Sequence, residues 1–329
     1  MLISTKDEDV MRRTYTIIGM VFFLISALGN AFAIADECRH RGDLEVPLCD
    51  DDYNLVADTP KDPSQQINPS TLIIAISPLE ETGTYDEELQ DLYQYLESCL
   101  QRRVLYYPLQ SSEAEIEAMR RGHLHVSGFA AGTTIAAVNR AGAIPFAGRG
   151  NKNGLINTKM IVIVRADSPY YKLSDLKDRR IAHVSNTSNS GHLAAMKDFP
   201  KKGLIPNQDY QPLFSGKHDR SIVGVQSGDY DAAVIASEVL ERMSNRKMMD
   251  ISRFRIIYES EAQPTSAFSY VYNLAPELQE KLKSCFYSYS FSDNMRKAFY
   301  KSDRFLPLDY ENNWSSARKN LQSTQNPEP

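Results

Sequence analysis

Short apolar runs of strand length alternate with amphipathic helical patterns in the first half of the chain. The apolar runs cover Thr71–Ile76, Val104–Tyr107 and His123–Val126. Between them, apolar residues recur at helical intervals over Leu89–Leu100, and a second helical pattern covers Ser112–Gly122. Strands that alternate with helices in this way predict a parallel sheet with crossover helices, which is an α/β fold.

The second half of the chain shows the same alternation, so the sequence predicts two α/β units with a cleft between them. Its strand-length apolar runs are Met160–Val164, Ile181–Val184, Gln211–Phe214, Ala232–Ala236 and Arg255–Tyr258. Ligands of open α/β sheets bind beyond the carboxyl ends of the strands. We therefore expect a ligand site built from residues that directly follow these strands.

The N-terminus has the pattern of an export signal. The basic stretch Met11–Arg13 precedes the apolar run Ile17–Leu28, and small residues offer cleavage after Ala33 or Ala35. We therefore expect residues 1–35 to be a cleaved signal peptide and the mature protein to be exported.

Export makes disulfide bonds possible, and the chain has four cysteines. Cys38 and Cys49 flank a short polar loop, which predicts a local disulfide between them. Cys99 and Cys285 lie in helical patterns, where they either pair with each other or remain two buried thiols.

The composition is that of a soluble globular protein of 329 residues, with 42% hydrophobic and 24% charged residues. Residues 36–70 are polar and predict a linker or N-terminal tail, and residues 322–329 predict a flexible C-terminal tail. The net charge of −5 argues against nucleic acid or an anionic membrane surface as partners. A small anion is not excluded, because it responds to local hydrogen-bond donors more than to net charge.

Common catalytic motifs are missing from the sequence. It contains no nucleophile elbow, no zinc-protease helix, no P-loop and no dinucleotide fingerprint. His123 and His125 share one face of a predicted strand, but no third ligand is placed near them, which favours a structural role. The sequence therefore favours a binding protein over an enzyme, and it predicts no cofactor and no metal.

The segment after the run Ile181–Val184 has the composition of an anion-binding turn. Its residues are Thr187, Ser188, Asn189, Ser190 and Gly191, ahead of the helical stretch His192–Asp198. The first turn of a helix leaves N–H groups without partners, hydroxyls add donors, and glycine permits close approach of a ligand. The segment predicts either an oxyanion site or an ordinary capped turn, and both interpretations remain open at this point.

Further candidate ligand residues follow the other predicted strands or lie in the loops after them. They are Ser77, Tyr85, Phe129, Thr133, His218 and Ser237. Hydroxyls, an imidazole and aromatic rings provide donors with apolar walls, which suits a small polar anion. Structural alternatives exist for Tyr85 as part of a helix cap, Phe129 as a core residue and His218 as an exposed loop residue.

Several motifs, in the correct order, resemble those of the phosphate-, phosphite- and phosphonate-binding proteins of ABC importers. The resemblance covers roughly Leu72 to Phe291. The motifs are Ser188–Gly191, Phe214–Ser221, Gly228–Ala233, Glu117–Gly122 and Ala141–Pro145.

The fold that this resemblance implies is the periplasmic-binding-protein type II fold, with two α/β lobes joined by two crossing hinge strands. We expect lobe 1 to comprise residues 71–163 and 264–321, and lobe 2 to comprise residues 164–263. The chain should then cross near Ile163–Arg165 and return near Ser260–Ser266.

The site that the resemblance implies is centred on the same turn. The family signature Ser-Thr-Ser-Gly, whose hydroxyls and amides hold the phosphorus oxyanion, matches Ser188–Gly191, with Asn189 as a departure. The family's binding-site histidine matches His218, whose protonation would discriminate monoanions from dianions. The aromatic walls match Tyr85 and Phe129 loosely.

The function implied is capture of a small phosphorus oxyanion (phosphite, phosphate or phosphonate) by a periplasmic monomer that delivers it to an ABC permease. Binders of aminoalkylphosphonates carry carboxylates for the ammonium group, and only Glu238 and Glu261 are candidates here, which favours a bare oxyanion. One alternative is a sensor of arsenite or another oxyanion that signals to a sensor kinase ectodomain. Arsenite would need a thiolate, and Cys99 lies away from the strand ends. A second alternative is a hydrolase of phosphorylated small molecules.

Overall fold

The apolar runs of the sequence form the central strands of two mixed β-sheets in a computed structural model of the protein. The structure describes residues 38–77, 85–109, 111–299 and 301–325. The predicted signal peptide, residues 1–35, lies outside this part of the chain. Among the described residues, no helix is both long and apolar enough to cross a membrane.

Twelve strands are assigned in the described residues. In chain order they are β1 (Thr71–Ile76), β2 (Arg103–Tyr106), β3 (Val126–Ala130), β4 (Ala143–Asn151), β5 (Gly154–Leu155), β6 (Asn157–Arg165), β7 (Ile181–His183), β8 (Pro212–Phe214), β9 (Ala232–Ala236), β10 (Phe254–Pro264), β11 (Ser266–Val271) and β12 (Arg304–Pro307).

Helices connect or flank these strands. They are α1 (Tyr85–Leu100), α2 (Ser112–Arg120), α3 (Ala131–Ala141), α4 (Ala194–Asp198), α5 (His218–Ser227), α6 (Ser237–Asn245), α7 (Pro276–Ser288), α8 (Asp293–Ala298), α9 (Tyr310–Asn313) and α10 (Ser315–Gln325). One π-helical turn covers Asn189–Leu193, and single 3-10 turns cover Pro63–Gln65, Leu173–Leu176, Pro200–Lys202 and Ile251–Arg253.

The first sheet has seven strands in the order β12-β4-β11-β3-β1-β2, with β5 paired to β4. β1 runs parallel to β2 and β3, whereas β11 and β12 run antiparallel to their neighbours. Leu72 and Ile74 of β1 are fully buried in one core cluster with Leu89 and Leu96 of α1. The predicted strand Thr71–Ile76 matches β1, since a strand covered on both faces has a nearly continuous apolar sequence.

The second sheet has five strands in the order β10-β6-β9-β7-β8. β7 runs parallel to β8 and β9, and β6 runs antiparallel to β9 and β10. All residues of β9, Ala232–Ala236, are buried, and those from Ala232 to Ile235 alternate between two core clusters on opposite faces of the sheet. This complete burial explains why the strand is a continuous apolar run in the sequence.

The chain passes between the two sheets twice. The second passage is at Thr265, within the predicted stretch Ser260–Ser266, and the first is at Ile156. The first passage therefore comes earlier than the predicted stretch Ile163–Arg165. The physical reason is that the whole of β6 pairs with β9 and β10, which places residues 157–163 in the second sheet.

The third strand begins later in the chain than the predicted strand His123–Val126. Ser127 and Gly128 are typical loop residues, yet both are buried between neighbouring strands, where Gly128 lies against the ring of Phe268. Phe129 is fully buried in the core of the first sheet. This corrects its expected position in a ligand-pocket wall, because a strand residue on the helix-covered face has no access to the sheet edge.

The predicted linker 36–70 is packed against the fold where the structure describes it. Leu44 and Leu48 of this segment are buried in a cluster with Trp314. The polar composition of the segment concealed these few apolar side chains, which anchor it. At the other end of the chain, α10 continues into the predicted flexible tail 322–329 as far as Gln325.

A disulfide joins Cys99 of α1 to Cys285 of α7, with a Cα–Cα distance of 6.0 Å. Of the two alternatives left open by the sequence, the structure therefore has the disulfide and not two buried thiols. Cys38 and Cys49 are also disulfide-bonded, and no cysteine in the described residues is a free thiol.

Candidate functional site

Three parallel strands of the second sheet end side by side, and each is followed by the start of a helix. His183 of β7 pairs with Phe214 of β8, and Ile181 of β7 pairs with Ala232 of β9. The π-turn follows β7, α5 follows β8 and α6 follows β9. Three helical N-termini are thus positioned along one sheet edge, where their N–H groups create a positive potential.

The turn after β7 begins with a capping serine. The Ser188 hydroxyl accepts a hydrogen bond from Gly191 N–H at 3.1 Å. A Cβ atom at Gly191 would lie 2.5 Å from Val184, so the turn requires glycine here. Within the described part of the chain, the N–H groups of Asn189 and Ser190 and the Ser190 hydroxyl donate no hydrogen bond. These three groups are the donors that an anion can use.

The side chain of Asn189 holds this turn in place. Its Nδ2 donates to Gln263 Oε1 at 2.6 Å, and its Oδ1 accepts from Asn320 Nδ2 at 2.9 Å. All three amides are buried. The side chain therefore ties the turn to β10 and α10 instead of donating to a ligand, which corrects its expected role and leaves the backbone N–H as its contribution.

The N-terminus of α3, a helix that packs on the first sheet, contacts the turn that follows β7. A Cβ atom added at Gly132 would collide with the carbonyl oxygen of Thr187 and lie 3.0 Å from Asn189 N. Thr187 is exposed, and its carbonyl makes this contact. Thr133, the next residue of α3, is buried. The anion-binding turn and the N-terminus of α3 thus meet across the two sheets.

His218, at the start of α5, is buried and held in one tautomer. Its Nδ1 accepts a hydrogen bond from Ala236 N–H at 3.1 Å, so the ring proton of the neutral imidazole is on Nε2. Burial lowers the pKa of His218 to about 4; Arg242 acts in the same direction, against Glu238. The imidazole is therefore neutral near pH 7 and is a fixed neutral donor, which corrects the expectation that its protonation selects the ligand's charge.

Two predicted hydroxyl donors are bonded within the protein. The Ser237 hydroxyl accepts from Lys159 N–H at 3.2 Å, and the Ser77 hydroxyl donates to Glu115 Oε2 at 2.5 Å. These contacts fix the ends of β9 and β1 in place. Tyr85 is the first residue of α1, and its side chain lies outside the described residues.

Glu115 is a buried acid beside the predicted site residue Ser77, and the sequence did not reveal it. It is fully buried in the first turns of α2, and its Oε1 has no hydrogen-bond partner among the residues that the structure describes. No ion pair to Glu115 is found among the described residues. Burial raises the pKa of its carboxyl to about 8, although the Ser77 hydroxyl lowers it. Glu115 is therefore an uncharged acid at neutral pH, beside the carboxyl end of β1.

Glu115 is expected to make the protein less stable as the pH rises. Its folded-state pKa lies above its unfolded value, so between about pH 5 and 8 the folded state keeps a proton that the unfolded state releases. The free energy of unfolding should then fall by up to about 1.4 kcal/mol per pH unit. Glu115→Gln should remove this dependence, as measured by urea unfolding at pH 5, 6.5 and 8.

Glu113→Gln is the matched control on the same helix. Its carboxyl is exposed and paired with Arg140, which lowers its pKa, so it titrates below this pH range. Parallel stability curves for the wild type and Glu115→Gln would contradict the prediction for Glu115.

An ion pair connects the two sheets next to His218. Arg149 Nη2 of β4 lies 2.8 Å from Glu238 Oε2 of α6, and the two side chains are 1% and 12% exposed. Burial favours the neutral form of Glu238, but Arg149 and Arg242 together hold its pKa below the usual range. Arg149 Nε also donates to Ser266 Oγ at 3.3 Å. Glu238, a candidate partner for a ligand ammonium group, is therefore already paired.

Comparison with known proteins gives concordant results. A family profile described as "ABC transporter, phosphonate, periplasmic substrate-binding protein" matches residues 74–312. The phosphate-import protein PhnD of Mycolicibacterium smegmatis is 22% identical over 241 residues, which cover 70% of this chain and 75% of that protein.

Solved structures share the fold. The binding protein component of an ABC phosphonate transporter from Pseudomonas aeruginosa has a TM-score of 0.69 and 19% identity, covering 78% of this chain and 86% of that one. PhnD1 of Prochlorococcus marinus in complex with methylphosphonate also has a TM-score of 0.69, with 18% identity, covering 78% of this chain and 99% of that one.

These similarities confirm the predicted type II periplasmic-binding fold. The family match begins in β1 and ends in α9, so it includes both sheets and both passages between them. The chain therefore belongs to the family of periplasmic substrate-binding proteins of ABC phosphonate transporters.

Proposed function

We propose that the protein captures a compact phosphorus oxyanion (phosphite, phosphate or a phosphonate) between its two sheets and delivers it to the permease of an ABC importer. The observation that carries the proposal is the set of neutral donors at the edge of the second sheet. The set comprises the N–H groups of Asn189 and Ser190, the Ser190 hydroxyl and the Nε2–H of His218.

Neutral, fixed donors suit a tetrahedral oxyanion because they bind its oxygens without a change of protonation. The first turn of α3 meets the anion-binding turn from the other sheet, so an anion held there would be enclosed from both sides. Enclosure between two units joined by two passages fits capture by hinge closure. The predicted export signal fits a periplasmic protein of this kind.

The alternatives receive less support. Arsenite is thiophilic and would call for a thiolate, whereas Cys99 and Cys285 are joined in a disulfide. A hydrolase would need an activated nucleophile, but His218 Nδ1 is occupied by a backbone N–H. Ser188 also uses its hydroxyl oxygen as a helix cap.

Removal of single donors is expected to weaken binding. Ser190→Ala and His218→Ala should each cost about 1–3 kcal/mol of binding free energy, since hydrogen bonds to a charged group are lost. Titration calorimetry with phosphite, phosphate and methylphosphonate measures the effect, and native mass spectrometry of freshly purified protein identifies any retained anion.

The matched controls are Ser227→Ala and His123→Ala, because both side chains are exposed. Neither should change affinity. If Ser190→Ala and His218→Ala bind every anion as the wild type does, the assigned site is wrong.

A further inference from the structure

Arg149 is a charged residue of the first sheet that contacts the wall of the site in the second sheet. β4 pairs with β11, and Gly148 beside Arg149 faces Ala267. Arg149 therefore lies near the end of the first sheet where the chain passes between the two sheets at Thr265. Across the gap, Glu238 follows Ser237 at the start of α6, two residues after the Ala236 N–H that holds His218. The Arg149–Glu238 ion pair therefore joins the wall that contains His218.

The three nitrogens of the Arg149 guanidinium differ in their contacts. Nη2 is bonded to Glu238 and Nε to Ser266, and the guanidinium carbon lies 4.9 Å from the centre of the Phe299 ring. Nη1 is buried and makes no hydrogen bond in the described parts of the protein. A buried guanidinium N–H without an acceptor is costly. It is therefore a donor in place for an acceptor that the protein itself does not supply.

The acceptor that suits Nη1 is an oxygen of the captured anion. A planar guanidinium can bind a carboxylate with one nitrogen and present another to a tetrahedral oxyanion. The same geometry affects Glu238, whose carboxylate is neutralised by Arg149 and lies near Arg242. A ligand ammonium group would have to displace Arg149, leaving its charge buried and unpaired.

We propose that Arg149 determines ligand specificity: its Nη1 donates to an oxygen of the phosphorus oxyanion, and its ion pair with Glu238 excludes ligands that carry an ammonium group beside that oxyanion. This inference rests on the proposed function and narrows its substrate class to phosphorus oxyanions without an amino group.

The experiment uses five ligands and four proteins in titration calorimetry. The ligands are phosphite, phosphate, methylphosphonate, ethylphosphonate and 2-aminoethylphosphonate, the last two differing by the ammonium group. The proteins are the wild type, Arg149→Met, the double variant Arg149→Met/Glu238→Gln, and the control Arg304→Met. Arg304 lies on β12 of the same sheet in an exposed pair with Asp303.

The wild type should bind at least one of the four ligands without an amino group, and it should bind 2-aminoethylphosphonate about 100-fold more weakly than the tightest of them. Arg149→Met should lose about 10- to 100-fold in affinity for that tightest ligand. It should also gain affinity for 2-aminoethylphosphonate, because Glu238 is released. The double variant should lose the gain in affinity for 2-aminoethylphosphonate. A merely structural role of Arg149 would not explain this difference between the single and the double variant. Arg304→Met should match the wild type.

Two results would overturn the inference. One is a wild type that binds 2-aminoethylphosphonate as tightly as the best ligand without an amino group. The other is an Arg149→Met variant that retains wild-type affinity for that ligand. A wild type that binds none of the five ligands would instead contradict the proposed function, and the inference with it.

Discussion

Alanine in place of Gly132 is expected to weaken ligand binding by about 1–3 kcal/mol, or about 5- to 150-fold in Kd, while the protein still folds. The added Cβ would collide with the carbonyl oxygen of Thr187 and approach Asn189 N. Both are backbone atoms of the anion-binding turn, which is held by the buried amides of Gln263 and Asn320. They cannot move aside without distorting the donors themselves.

The collision lies between elements of the two sheets, so it acts only when these meet. Gly132 is in the first turn of α3 and has an ordinary helical backbone, where alanine is favoured over glycine. We therefore expect an unchanged or higher melting temperature without ligand, a weaker Kd, and a smaller ligand-induced compaction in small-angle X-ray scattering.

Gly224→Ala is the contrasting control. Gly224 is also helical, in α5, but its added Cβ would collide with the ring of Tyr230, which lies in the loop between α5 and β9 of the second sheet. This variant should lower the melting temperature and keep the ligand-induced compaction. A Gly132→Ala protein with wild-type affinity and compaction would show that the contact with Thr187 plays no part in binding.

The strands that the sequence predicts well are those that are completely or mostly buried. Thr71–Ile76 and Ala232–Ala236 have the same bounds in prediction and structure, because strands buried on both faces are continuous apolar runs. β3 begins later in the chain than the sequence predicts, and it includes Ser127 and Gly128, which have the composition of a loop. Their burial depends on β1 and β11, which are distant in sequence. The local amino-acid composition therefore does not predict that these two residues belong to a strand.

The site shows the same division between local and distant contacts. The turn at Ser188–Gly191 could be found from the sequence because its cap, donors and glycine are consecutive. Arg149 could not be identified in this way, because its role depends on its ion pair with Glu238, which lies 89 residues later in the chain. Glu115 likewise owes its uncharged state to burial in the fold, and its hydrogen-bond partner Ser77 lies 38 residues earlier. The sequence around a charged residue in a polar stretch does not indicate whether that residue is buried, because burial depends on the fold.

Opening the Cys99–Cys285 disulfide is expected to lower the free energy of unfolding by about 3–5 kcal/mol. The two cysteines are 186 residues apart, so the bond restricts most of the unfolded chain. In the chain-entropy account, a loop of this length is worth about 5 kcal/mol, and measured values are usually somewhat lower. The native contacts change little, because Cys285 is already buried in the apolar core of the first sheet.

The measurement is guanidinium unfolding of three proteins: the oxidised wild type, the wild type with reductant, and the double variant Cys99→Ala/Cys285→Ala. The reduced wild type keeps both sulfur atoms, so its loss of stability reports the covalent links alone. Reductant added to the double variant isolates the contribution of the disulfide-bonded Cys38 and Cys49. Subtracting that contribution from the loss in the reduced wild type should leave about the same loss as the double variant shows without reductant. A double variant with the oxidised wild type's unfolding midpoint would contradict the prediction, because the long loop would then carry no entropic restriction.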